Sequence, residues 1–121
     1  MAIYKTKWFG KWASKNGLLD AALRTAVEEL ECDLYDASLG GGVYKKRVGI
    51  SNQGKRGGAR TLIAFKKEAN VFFMYGFAKN SQANIKADEL KALKLLAKKL
   101  LGFNKHELSK AVNAAELIEV L

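Results

Sequence analysis

Gly54-Lys55-Arg56-Gly57-Gly58-Ala59-Arg60 sets three cationic side chains among three glycines. Glycine lets the backbone approach a bulky anion, and its tolerance of positive φ lets successive N–H groups point into one concavity while Lys and Arg close around it. The chemistry that suits such a segment is phosphate binding. A plain hairpin turn of the same composition is the competing reading. The spacing is not the G-x-x-x-x-G-K-[ST] of a nucleotide-binding loop, and an apolar strand follows where a helix should begin, which argues against nucleotide hydrolysis.

Further cations line up with this segment. Val43–Ile50 alternates, so Tyr44, Lys46, Val48 and Ile50 fall on one face while Lys45 and Arg47 share the other. Lys79-Asn80 ends a second strand pattern, Val71–Ala78. Lys45, Lys46, Arg47, Lys55, Arg56, Arg60 and Lys79, with Gly57, Gly58 and Asn80 beside them, are the candidates for contact with a phosphate. Nothing in the inventory suggests a metal or cofactor: His106 is the single histidine and Cys32 the single cysteine. His106 reads as a cap or surface residue, and Cys32 as a small buried side chain.

The elements that must position these residues follow from periodicity. Thr6 can cap a helix whose Trp8, Phe9 and Trp12 face the core, with Asn16-Gly17 as its stop. Residues 18–31 form a packing helix, with Leu19, Leu23, Ala26, Val27 and Leu30 in its stripe. Residues 33–42 read as a loop ending in three glycines. The strand patterns at 43–50, 59–66 and 71–78 make an antiparallel meander. A helix over 86–101 carries Leu90, Leu93, Leu96, Ala97 and Leu100 inward. Asn104 and Glu107 form a capping box for a last helix through about Asn113, and Leu117–Val120 can extend the sheet. The order predicts one α+β domain over residues 1–121, with a small antiparallel sheet of three or more strands between N- and C-terminal helices.

The 121 residues carry 21 Lys and Arg against 12 Asp and Glu, a formal charge of +9. Residues 45–67 hold eight of those cations and no acid. Such a block favours a polyanion such as nucleic acid over mere solubility. No apolar run is long enough to span a bilayer and no signal segment is seen, so no membrane partner and a cytoplasmic location are expected.

Gly41-Gly42-Val43-Tyr44-Lys45-Lys46-Arg47-Val48, the Gly54–Thr61 segment and Tyr75-Gly76-Phe77-Ala78-Lys79-Asn80 together resemble the RelE/HigB-like toxins of bacterial type II toxin–antitoxin systems. The resemblance lies with a branch that carries a GKRGG-x-R loop and a Y-G-x-x-K-N strand end. It implies a microbial-ribonuclease-like fold that enters the ribosomal A site, near 16S rRNA, and cuts mRNA there. It also implies control by a cognate antitoxin, expected to be a helix-turn-helix protein, with DNA contacted only through that partner. Arg60 looks like the family's arginine opening the strand after the basic loop, Lys45 and Arg47 like its alternating basic pair, and Lys79 like its basic strand end; the resemblance makes these four the catalytic candidates, and Lys46, Lys55, Arg56, Gly57, Gly58 and Asn80 the RNA- or phosphate-binding ones. The chain departs from some members near its C-terminus, where Phe103 is the only aromatic beyond Lys86.

Cleavage by the RNA's own 2′-OH needs a base, charge stabilisation at the phosphorane and a proton for the leaving oxygen. Clustered Lys and Arg supply the second; Lys45 beside Arg47 is the best candidate for the first, if cationic neighbours lower its pKa. Without His or Glu at the site, the ribosome would have to bend the message into an in-line geometry. The leading reading is a ribosome-dependent mRNA endoribonuclease. A non-catalytic RNA- or ribosome-binding module and a ParE-like gyrase poison are the alternatives.

Overall fold

Alternating apolar residues build the centre of the molecule, and amphipathic helices close over both sides of it. The structure, a computed structural model, describes residues 2–50, 54–78 and 84–121, with the backbone alone for 54–57. Along the chain run β1 (Ile3–Thr6), α1 (Lys7–Lys15), α2 (Asp20–Glu31), β2 (Ala37–Gly40), β3 (Val43–Ile50), β4 (Gly54–Ala64), β5 (Val71–Ala78), α3 (Ala87–Leu101), α4 (Lys105–Asn113) and β6 (Leu117–Val120). The strands form one sheet in the order β2-β3-β4-β5-β1-β6.

This is the expected α+β architecture, with the meander β3-β4-β5 at its centre. The sheet is larger than that meander and is mixed. β1 runs parallel to β5, with Tyr4 opposite Phe72, and β6 returns antiparallel to β1. α1 and α2 pack on one face over Phe9, Leu23, Leu30, Ile63 and Phe73, all fully buried. α3 and α4 cover the other face over Val43, Leu62, Phe72 and Ala97. Each buried Leu, Val or Phe side chain stabilises by roughly 1.5–3 kcal/mol, so neither layer is dispensable.

Local signals set the helix ends. The Thr6 hydroxyl accepts the Phe9 N–H at 3.1 Å to start α1, and Gly17 sits at φ 70° beyond its end. Asn104 and Glu107 exchange side-chain to backbone bonds of 2.8 and 2.9 Å, the capping box the sequence predicts.

Several expectations change. Residues 54–58 are not a loop but the first part of β4, hydrogen-bonded across from β3 with Gly54 opposite Ile50. Cross-strand pairing supplies their backbone bonds, which local composition does not reveal. β2 lies within the predicted loop 33–42, and Gly40, Gly41 and Gly42 all take positive φ in the turn that leads to β3. Leu19 precedes α2 as its N-cap and is exposed, outside the packing stripe. Cys32 follows the end of α2 and is exposed rather than buried. Trp8 is 48% exposed, whereas Phe9 is fully buried and Trp12 packs partly into the core.

Candidate functional site

The ladder between β3 and β4 places Lys45 opposite Leu62 and Arg47 opposite Arg60. β5 continues both rows, with Tyr75 opposite Leu62 and Phe77 opposite Arg60. Alternation therefore sets Lys45, Arg47 and Arg60 on the sheet face that α3 covers farther along, and leaves their charged ends around a shared concavity of about 290 Å3. Arg60 is anchored by a long contact of 3.4 Å from its guanidinium to the Gly58 carbonyl.

The fourth residue of the concavity is Asp36, which sequence reasoning missed. Asp36 lies just before β2; its N–H donates to the Lys45 carbonyl at 2.9 Å. One carboxylate oxygen accepts the Arg47 N–H at 2.6 Å and the other accepts from Arg47 Nε at 3.2 Å. A carboxylate on the guanidinium offsets the repulsion between two arginines set directly across a ladder. Neither Lys45 nor Arg60 has an ion-pair partner among the described residues. The available signal for Asp36 was the Gly-Gly pair at 40–41, a hairpin signature between short flanking segments.

Lys46 does not belong to this surface. Period-two alternation turns it to the opposite face, where it is only 5% exposed and its ammonium meets Glu29 of α2 at 2.9 Å. A lysine so buried needs a carboxylate partner, and this one has it, so it holds α2 to β3 instead of meeting an anion. Gly58 is buried in β4, and Lys55, Arg56 and Gly57 fall on that strand with backbone alone described. Lys79 and Asn80 lie outside the described residues. His106 is an exposed residue in the first turn of α4.

Beside the basic rows, Tyr75 donates from its hydroxyl to Glu89 Oε2 of α3 at 3.1 Å and stacks on Trp8 with centroids 4.6 Å apart. Burial, then the hydrogen bond to Glu89 and its charge, raise the Tyr75 phenol above its ordinary value. It is therefore a neutral donor through the physiological range. Among the described residues no cluster of three or more His, Cys, Asp or Glu could hold a metal ion. Nor is any helix there long and apolar enough to cross a membrane.

Three cations around one carboxylate can grip a phosphate and stabilise added negative charge on it. A protein-family model described as the RelE toxin of the RelE / RelB toxin–antitoxin system matches residues 1–120. No curated protein sequence matches the chain.

Proposed function

Since the chain belongs to the RelE toxin family, whose members generally inhibit translation as endoribonucleases, we propose that it is a ribosome-dependent mRNA endoribonuclease restrained by a cognate antitoxin. The observation that carries this reading is the concavity in which Lys45, Arg47 and Arg60 converge. Arg47, fixed by Asp36 at two points, and Arg60, across the ladder from it, grip the non-bridging oxygens of one phosphate. The charge that builds on the phosphorane strengthens both contacts, which is what accelerates the step.

Lys45, two residues along β3 on the same face, takes the 2′-OH proton as that oxygen attacks phosphorus, and the P–O5′ bond breaks to leave a 2′,3′-cyclic phosphate and a 5′-oxygen that takes up a proton from water. Lys79, the residue that follows β5 in sequence, is proposed to hold the leaving side, with Lys55, Arg56, Gly57, Gly58 and Asn80 proposed to contact the flanking nucleotides. None of these residues fixes the attack angle. The ribosomal A site, with its 16S rRNA, does so by holding the message in line, and the reaction takes place in the cytoplasm.

Purified protein added to mRNA alone and to mRNA on programmed ribosomes tests this reading. Cleavage mapped by 5′ ends should occur inside the translated frame and only with ribosomes. Equal cutting of naked RNA contradicts it.

A further inference from the structure

On the sheet face covered by α3 and α4, the helices do not close fully against β5 and the first turn of α1. The space left is a cavity of about 500 Å3. Met74, Leu96, Leu100 and Leu117 line it together with the stacked Trp8 and Tyr75 rings. Leu93 and Leu96 belong to the stripe that periodicity turns inward, yet both are only half-buried, because they border this space. The cavity shares no residue with the concavity of Lys45, Arg47 and Arg60.

Small-molecule sites are apolar concavities of roughly 300–1,000 Å3 with a few polar groups that fix orientation. Here the hydrogen-bonding groups along the wall are already engaged. The Thr6 hydroxyl accepts the Phe9 N–H and donates to the Met74 carbonyl, the Glu116 carbonyl accepts the Lys7 N–H, and the Tyr75 hydroxyl donates to Glu89. A peptide or a nucleotide would bury polar groups without partners there, whereas an alkyl chain brings none. Charge enters only with the exposed Lys7, Lys99 and Glu116, none of them ion-paired among the described residues. Two lysines against one carboxylate leave the edge cationic, and the first turn of α1, the positive end of that helix, holds no acidic residue to offset it.

We propose that this cavity binds a small anionic amphiphile, a medium-length alkyl carboxylate, with its chain among the leucines and its carboxylate at Lys7 and Lys99. The site goes beyond the toxin reading and does not rest on it, since none of its residues takes part in the proposed cleavage. Tyr75 lines the cavity and bonds Glu89 of α3, so a bound chain joins α3 to β5 and stabilises the folded protein.

The test uses the full chain, with decanoate and the neutral 1-decanol as probes below the concentrations at which they aggregate. Calorimetry should show one decanoate per chain, bound roughly tenfold more tightly than decanol, and decanoate should raise the melting temperature. Leu96→Trp fills the space and should abolish binding of both probes. Lys7→Gln with Lys99→Gln changes exposed positions only and should bring decanoate down to the affinity of decanol, so the site stays testable if the tryptophan variant does not fold. Thermal melts check both variants. No saturable binding to the wild type, or binding of decanoate unchanged in the variants, overturns the proposal. Decanoate displaced by a short single-stranded RNA overturns it and makes the cavity a nucleic-acid contact. A dimer in sedimentation that Leu96→Trp abolishes and decanoate leaves intact overturns it in favour of a second copy of the chain.

Discussion

Arg47 and Arg60 face each other across a ladder where like charges cost stability, and only Arg47 carries a carboxylate. Asp36 therefore positions Arg47 and does not merely neutralise the site. Asp36→Asn keeps the shape but weakens both bonds, so cleavage should fall about tenfold while RNA affinity holds or rises with the added positive charge. Parallel loss of affinity and rate, measured by single-turnover kinetics and filter binding, would show that Asp36 supports only the fold. Lys46 illustrates the opposite case, a cation that looks functional in sequence and is structural in place. Glu29→Ala leaves its ammonium buried against α2 without that carboxylate, and should destabilise the protein by about 3 kcal/mol in urea unfolding. The shared face of Lys45 and Arg47 was legible from alternation alone. Asp36 was not, because it precedes a four-residue strand that ends in the glycine turn, too short to show a period.

The elements that hold the site were legible where they carry a sustained period, so the glycine-rich first part of β4 was missed although it belongs to the longest strand. β3, β5, α2 and α3 show sustained periods; β1 and β2 are four residues each and are defined by partners distant in sequence. The parallel pairing of β1 with β5 is a tertiary fact with no local signature. The aromatic edge of β5 depends on one glycine. A Cβ at Gly76 would lie 2.3 Å from the Trp12 ring, so Gly76→Ala must displace that ring and should cost about 1–3 kcal/mol. A thermal melt that matches wild type would show that α1 shifts freely. Tyr75 ties the same strand to Glu89 near the start of α3. Its folded-state pKa is raised above 10.0, so the neutral phenol is favoured on folding. That contribution is complete below pH 10.0 and is lost as pH rises through the folded value. Tyr75→Phe should flatten this alkaline limb in a pH series of melts, whereas an unchanged slope assigns the limb to other groups.

At the scale of the whole molecule, a +9 chain divides its surface between two basic regions of different chemistry. Arginines surround a concavity suited to phosphate at one end of the β3–β4 ladder, and lysines surround leucines at the other. Composition made the first partner class legible but not this division, which exists only once α3 is laid over the sheet. Association with RNA should weaken steeply as salt rises, as counterion release requires. The central claim, that Lys45, Arg47 and Arg60 form the RNA-cleaving site, is tested most directly by the single-turnover cleavage rate of Arg60→Ala on programmed ribosomes, with folding verified by its melt. Loss of this phosphate contact should slow the step about 100-fold, or roughly 3 kcal/mol, with the cut positions unchanged. A folded Arg60→Ala protein that cuts at the wild-type rate would place the chemistry elsewhere on the chain.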